Sequence, residues 1–97
     1  MDIIKNRADS ALELSLVGRL DTTTAPQLEA EVRELDGVTA LTLDFEKLEY
    51  VSSAGLRVIL AAQKTMNRQG SMVIRKVNPD IQEVFEITGF ADILTIE

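Results

Sequence analysis

Two runs of alternating apolar residues, Leu12-Leu14-Leu16 and Leu41-Leu43-Phe45, each give way to a polar turn and then to apolar residues at helical spacing. Alternation with period two puts one face of a strand into a core, whereas spacings of three and four residues draw an apolar stripe along a helix. A chain that repeats strand, helix, strand brings each new strand back parallel to the last through a right-handed crossover. That order points to an α/β domain with a mixed sheet.

Ile3 and Ile4 belong to a strand that pairs with the Leu12 to Leu16 strand, and Gly18 closes that run. In TTTAPQLEAEVRELDG, Thr24 and Gln27 have capping-box spacing and Pro26 fits a first helical turn. Leu28, Val32 and Leu35 then share one helical face, and Gly37 supplies the stop. Val38 to Phe45 reads as the next strand, with Leu48, Tyr50 and Val51 in a connector. No proline interrupts Ser53 to Gln69 before Gly70, so this should be the longest helix, with Leu56, Ile59, Leu60 and Met66 in the core. Met72 to Val77 follows as a strand, and Asn78-Pro79-Asp80 opens another helix that turns Ile81, Val84 and Phe85 inward. Gly89 ends it, and the final DILTIE is a short strand or a frayed tail. The expectation is a single α/β domain over residues 1–97, with a mixed central sheet of roughly four to five strands and about three to four helices.

Composition narrows the chemistry. The chain holds neither histidine nor cysteine, which removes disulfides, the usual zinc sites, cysteine nucleophiles and every scheme with imidazole as the base. Ten basic against sixteen acidic residues give a formal charge of -6, which opposes binding to nucleic acid and to anionic lipid. A protein partner with a basic face suits it better. No window approaches the ~18 apolar residues of a membrane span, and MDIIKNRADS lacks the apolar middle of a secretory signal, so a cytoplasmic protein without membrane insertion is expected. The five glycines are scattered and form no phosphate loop, and no cofactor or metal is expected.

The stretch YVSSAGLRVIL, Tyr50 to Leu60, resists a purely structural reading. A glycine in a first helical turn costs about 1 kcal/mol against alanine, so Gly55 needs a reason, either close packing on a neighbouring strand or access for a partner. Ser52 is placed to cap the helix, which leaves Ser53 free in the first turn beside small neighbours, Ala54 and Gly55. A phosphate there would add about -1.5 to -2 charges at the positive end of the helix dipole, favourable to the fold by ~0.3 to 1 kcal/mol. On a docking face the same dianion would need desolvation and would weaken binding.

GRLDTTTAPQLE, Gly18 to Glu29, and LDFEKLEYVSSAGLRVIL, Leu43 to Leu60, resemble the two signature segments of the anti-sigma factor antagonists, small STAS-domain proteins of bacteria. The closing ITGF, Ile87 to Phe90, agrees, and the resemblance spans essentially the whole chain. The family signature reads Asp-Ser-Ser-Gly-Leu or Asp-Ser-Thr-Gly-Leu, with the phosphorylated serine after the aspartate. Alignment on Gly55 and Leu56 puts Ser53 at the phosphoacceptor position, with Ser52 in place of the aspartate and Ala54 in place of the second hydroxyl. The resemblance implies a partner-switching regulator of transcription, not an enzyme. Unmodified, it would bind an anti-sigma factor that is also a serine kinase. Phosphorylation of Ser53 would release it, and a PP2C-type phosphatase would restore it. Asp21, Thr22, Thr23, Ser52, Ala54, Gly55, Leu56 and Arg57 are the implied partner-binding residues.

Three other readings compete. A serine nucleophile at Ser53 with Lys47 or Lys64 as base lacks supporting spacing, since Lys64 lies three turns along the same helix. A phosphoaspartate receiver using Asp44 lacks an acidic pair after the first strand to hold magnesium. Some members of the family are instead fixed subunits of lipid-transport or stress-sensing assemblies, which Ser52 in place of aspartate would suit.

Overall fold

A computed structural model describes all residues, 1–97. The elements are β1 (Asp2–Ala8), β2 (Ala11–Leu20), α1 (Ala25–Val32), β3 (Ala40–Val51), α2 (Ser53–Gln69), β4 (Ser71–Arg75) and α3 (Pro79–Thr88), then a 3-10 turn at Phe90–Asp92. The sheet has four strands in the order β1-β2-β3-β4. β1 and β2 form an antiparallel hairpin turned at Asp9, whose φ of 56° is one that aspartate tolerates. β2, β3 and β4 run parallel, joined through α1 and α2, so the expected mixed sheet with crossovers is the one found.

All three helices share one core with one face of that sheet. Leu12, Leu14, Leu16, Leu41, Leu43, Met72 and Ile74 point into it and meet Leu28 of α1, Ile59 and Met66 of α2, and Ile81 and Phe85 of α3. Each such side chain contributes about 1.5 to 3 kcal/mol by leaving water. Glu13, Ser15, Thr42 and Asp44 alternate onto the other face, which no helix covers.

Several local expectations change. Gly18 does not end β2; with φ at +108° it sits at an irregularity inside the strand, which continues to Leu20. β3 extends to Val51 and absorbs the expected connector, because it carries an extra residue at each of two irregularities opposite Ser15/Val17 and Gly18/Arg19. Each extra residue resets the alternation, which is why Phe45, Leu48 and Val51 all face the core. The capping box at Thr24 does not form, since that hydroxyl bonds to Asp21 and Arg19 instead. Leu60 is half-buried and Val58 takes the expected core place, because α2 packs against α1 on that side. Lys76, at φ 59°, stops β4 short of Val77, and the C-terminal strand reduces to one parallel bridge between Ile74 and Ile96.

Candidate functional site

The C-terminal ends of β2 and β3 lie side by side, so the two turns that launch α1 and α2 adjoin. Leu20 pairs with Val51, and the Ser52 N–H donates to the Leu20 carbonyl at 2.8 Å. In the first turn Asp21 Oδ1 accepts from Thr23 N–H at 3.0 Å, Thr23 Oγ1 at 2.7 Å and Thr24 N–H at 3.2 Å. Thr24 Oγ1 accepts from the Asp21 N–H and donates to the Arg19 carbonyl, both at 2.8 Å. The Thr23 hydroxyl bond is the main reason that the Asp21 carboxyl is held below its ordinary range, with partial burial opposing it and the Thr24 and Thr23 amides assisting.

The second turn is sparer. Ser52 is extended, at φ -91° and ψ 174°, and its Oγ accepts from the Gly55 N–H at 3.3 Å, so it caps α2 as expected. Ser53 is the first residue of the helix and is exposed, and its hydroxyl takes no part in that cap. Gly55 has a packing reason: a Cβ there would lie 2.7 Å from Leu20 Cγ and 3.1 Å from the Leu20 carbonyl oxygen. The absence of a side chain lets the start of α2 rest on the end of β2.

Of the expected partner-binding residues, Thr22, Thr23 and Arg57 are exposed, while Asp21, Ser52 and Ala54 are half-buried. Gly55 and Leu56 are buried, Leu56 to 6% exposure, and underlie the surface instead of forming it. Leu56 turns inward because the fourth residue of a helix seated by Gly55 on Leu20 faces the sheet. Between the turns runs a groove lined by Thr22, Ala25, Pro26 and Glu29 on one side and Ala54, Arg57 and Val58 on the other. Sequence reading missed Arg19 and Tyr50, whose guanidinium and ring stack at 4.3 Å at this end of the sheet. Their pairing depends on the extra residues of β3, which no local pattern announces.

The rival acceptor and bases lie elsewhere. Asp44 and Lys47 line a hollow on the uncovered sheet face, where Asp44 accepts from the Glu46 N–H and Lys76 Nζ stands 3.9 Å from it. Lys76 is held above the ordinary lysine range, mainly by its 3.0 Å bond to Glu46. Lys64 is exposed farther along α2. No helix is long and apolar enough to cross a membrane.

Comparison with known proteins agrees on a family. A family model described as "Mlab, STAS domain" matches residues 3–95. BtrV of Bordetella bronchiseptica, which carries the name of an anti-sigma factor antagonist, is 38% identical over 99% of this chain and 85% of that protein. The anti-sigma-B factor antagonist of Listeria monocytogenes is 31% identical over 97% of this chain and 85% of that protein. Among solved structures, the anti-sigma factor antagonist SpoIIAA in its unphosphorylated form matches with a TM-score of 0.79 at 19% identity, covering 99% of this chain and 87% of that one. The phosphorylated form of Bacillus SpoIIAA matches at 0.78, also at 19% identity, over 99% and 91% of the two chains. At that identity the structures speak to the fold alone.

Proposed function

This chain belongs to the STAS domain family, and we propose that it serves there as an anti-sigma factor antagonist whose docking is switched by phosphorylation of Ser53. Unmodified, the face formed by Asp21 to Thr23 and by Ser52 to Arg57 binds an anti-sigma factor that is also a serine kinase, which frees a sigma factor for transcription. Gly55 and Leu56 support that face from below. The kinase supplies the ATP and magnesium: the terminal phosphoryl group passes to Ser53 Oγ, the hydroxyl proton is lost and ADP departs. A PP2C-type phosphatase hydrolyses the ester and restores the alcohol.

The observation that carries this reading is the exposed hydroxyl of Ser53 at the first residue of α2, with the cap supplied by its neighbour Ser52. A dianion there is favourable to the helix by ~0.3 to 1 kcal/mol, whereas an interface penalty of ~3 kcal/mol lowers affinity by about a hundredfold. Support also comes from the named relatives. The test is capture of the partner from the native cell, followed by affinity measurements on variants. Ser53→Ala binds constitutively and Ser53→Asp binds weakly; equal affinities contradict the switch.

One observation favours a second reading. Ser52 stands where the family signature carries aspartate, which suits a fixed subunit of a lipid-transport or stress-sensing assembly. In that case both Ser53 variants bind their partner alike and Ser53 carries no phosphate in cells.

A further inference from the structure

Resting on the reading of Ser53 as the modified residue, we propose that Arg57 is the cation that receives its phosphate, so that modification withdraws a positive charge from the docking face while adding a negative one. Ser53 and Arg57 lie four residues apart on α2, hence one turn apart on the same side. Helical side chains lean toward the N-terminus, so the long side chain at position 57 covers the surface of the turn where Ser53 stands. Ala54 and Gly55, between them, present little bulk. An anion N-terminal to a cation at this spacing is the favourable order, because it also matches the helix dipole.

Arg57 is uncommitted in the unmodified protein. The ion pairs of the molecule engage Lys5, Arg19, Arg33, Arg75 and Lys76, and Arg57 is in none of them. The acids nearest in the two turns already have partners: Glu29, across the groove, bonds Arg33 at 3.1 Å, and Asp21 is held by Thr23 and Thr24 with Arg19 at 3.9 Å. Arg19, the other cation at this end, is already engaged: it stacks on the Tyr50 ring and stands 3.9 Å from Asp21 Oδ2. Unmodified, the face therefore offers an alcohol beside a free guanidinium, an arrangement that invites an acidic group of the partner. Phosphorylated, it satisfies that guanidinium internally, and the partner's acid meets a dianion without the compensating charge.

The test uses the full chain with phosphoserine installed at position 53 during translation, and neither partner nor kinase. A phosphorus NMR titration follows the second ionisation of the phosphate, ordinarily near about pH 6. It falls about half a unit lower in the wild type than in Arg57→Gln, Arg57→Lys keeps part of the shift, and Arg19→Gln leaves it in place. On phosphorylation the Arg57 Nε–H resonance moves and its hydrogen exchange slows several-fold. An ionisation that is the same with and without Arg57, or that follows Arg19, overturns the proposal. That failure leaves the Ser53 switch standing, whereas absence of the phosphate in cells removes the switch and leaves the pairing measurable.

Discussion

The turns that launch α1 and α2 leave the same end of the sheet and adjoin through the Ser52–Leu20 hydrogen bond, yet they are finished in opposite ways. The first is closed on itself: the Asp21 carboxylate gathers both Thr23 donors and the Thr24 amide, and the Thr24 hydroxyl ties the turn back to Arg19. The second has one long cap bond at 3.3 Å, an exposed serine and an arginine outside every ion pair. A residue that must exchange one chemical state for another is best left without internal partners, since any bond it made would have to be broken at each exchange. The first turn supplies rigidity, and the second supplies the hydroxyl proposed to be modified.

The largest effect that could break this contrast lies under the second turn. Gly55→Val drives side-chain atoms into Leu20 and destabilises by about 2 to 3 kcal/mol, a fall in melting temperature of about 10 to 20 °C. An unchanged melting temperature would mean that α2 does not rest on the end of β2. The two turns are then compared directly by removing one hydroxyl from each. Thr24→Val, which breaks two bonds of 2.8 Å, costs about 1 to 2 kcal/mol, whereas Ser52→Ala costs about 0.5 to 1 kcal/mol. Denaturant midpoints give both, and the reverse ranking contradicts the division of roles.

Acid sharpens the comparison further. The fold depresses the Asp21 ionisation, so its contribution is present above the unfolded-state value, near about pH 4, and is lost as pH falls through the lower folded-state value. Wild type exceeds Asp21→Asn in stability at neutral pH, and the gap closes in strong acid; a gap independent of pH would remove the carboxylate from its role in the turn. Smallest of all is Ser53→Asp, which stays within about 0.5 kcal/mol of wild type by thermal melting, since it breaks nothing and places an acid at a helix N-terminus. A large loss there would show that the hydroxyl is structural.

The contrast between the turns was only partly legible in the sequence. Strand and helix order followed from apolar spacing, because Leu12-Leu14-Leu16 and Leu41-Leu43-Phe45 report burial directly. The Ser52 cap and the free Ser53 were equally legible, since capping chemistry is local. The tight network around Asp21 was not: Thr24 and Gln27 have the spacing of a capping box, and nothing nearby in sequence shows that Asp21 claims the threonine first. The reason for Gly55 lies on Leu20, distant in the chain, and so could be posed but not answered. Likewise the last stretch of β3 was hidden because two extra residues break the period by which strands are recognised, and with it went the stacking of Tyr50 on Arg19.

Mass spectrometry of the Ser53 peptide, taken separately from partner-bound and free pools of the protein in its native cell, is the decisive test of the Ser53 switch. Phosphate is expected on Ser53 in the free pool, and an unmodified alcohol in the bound pool. Phosphate in the bound pool, or in neither, would contradict the switch.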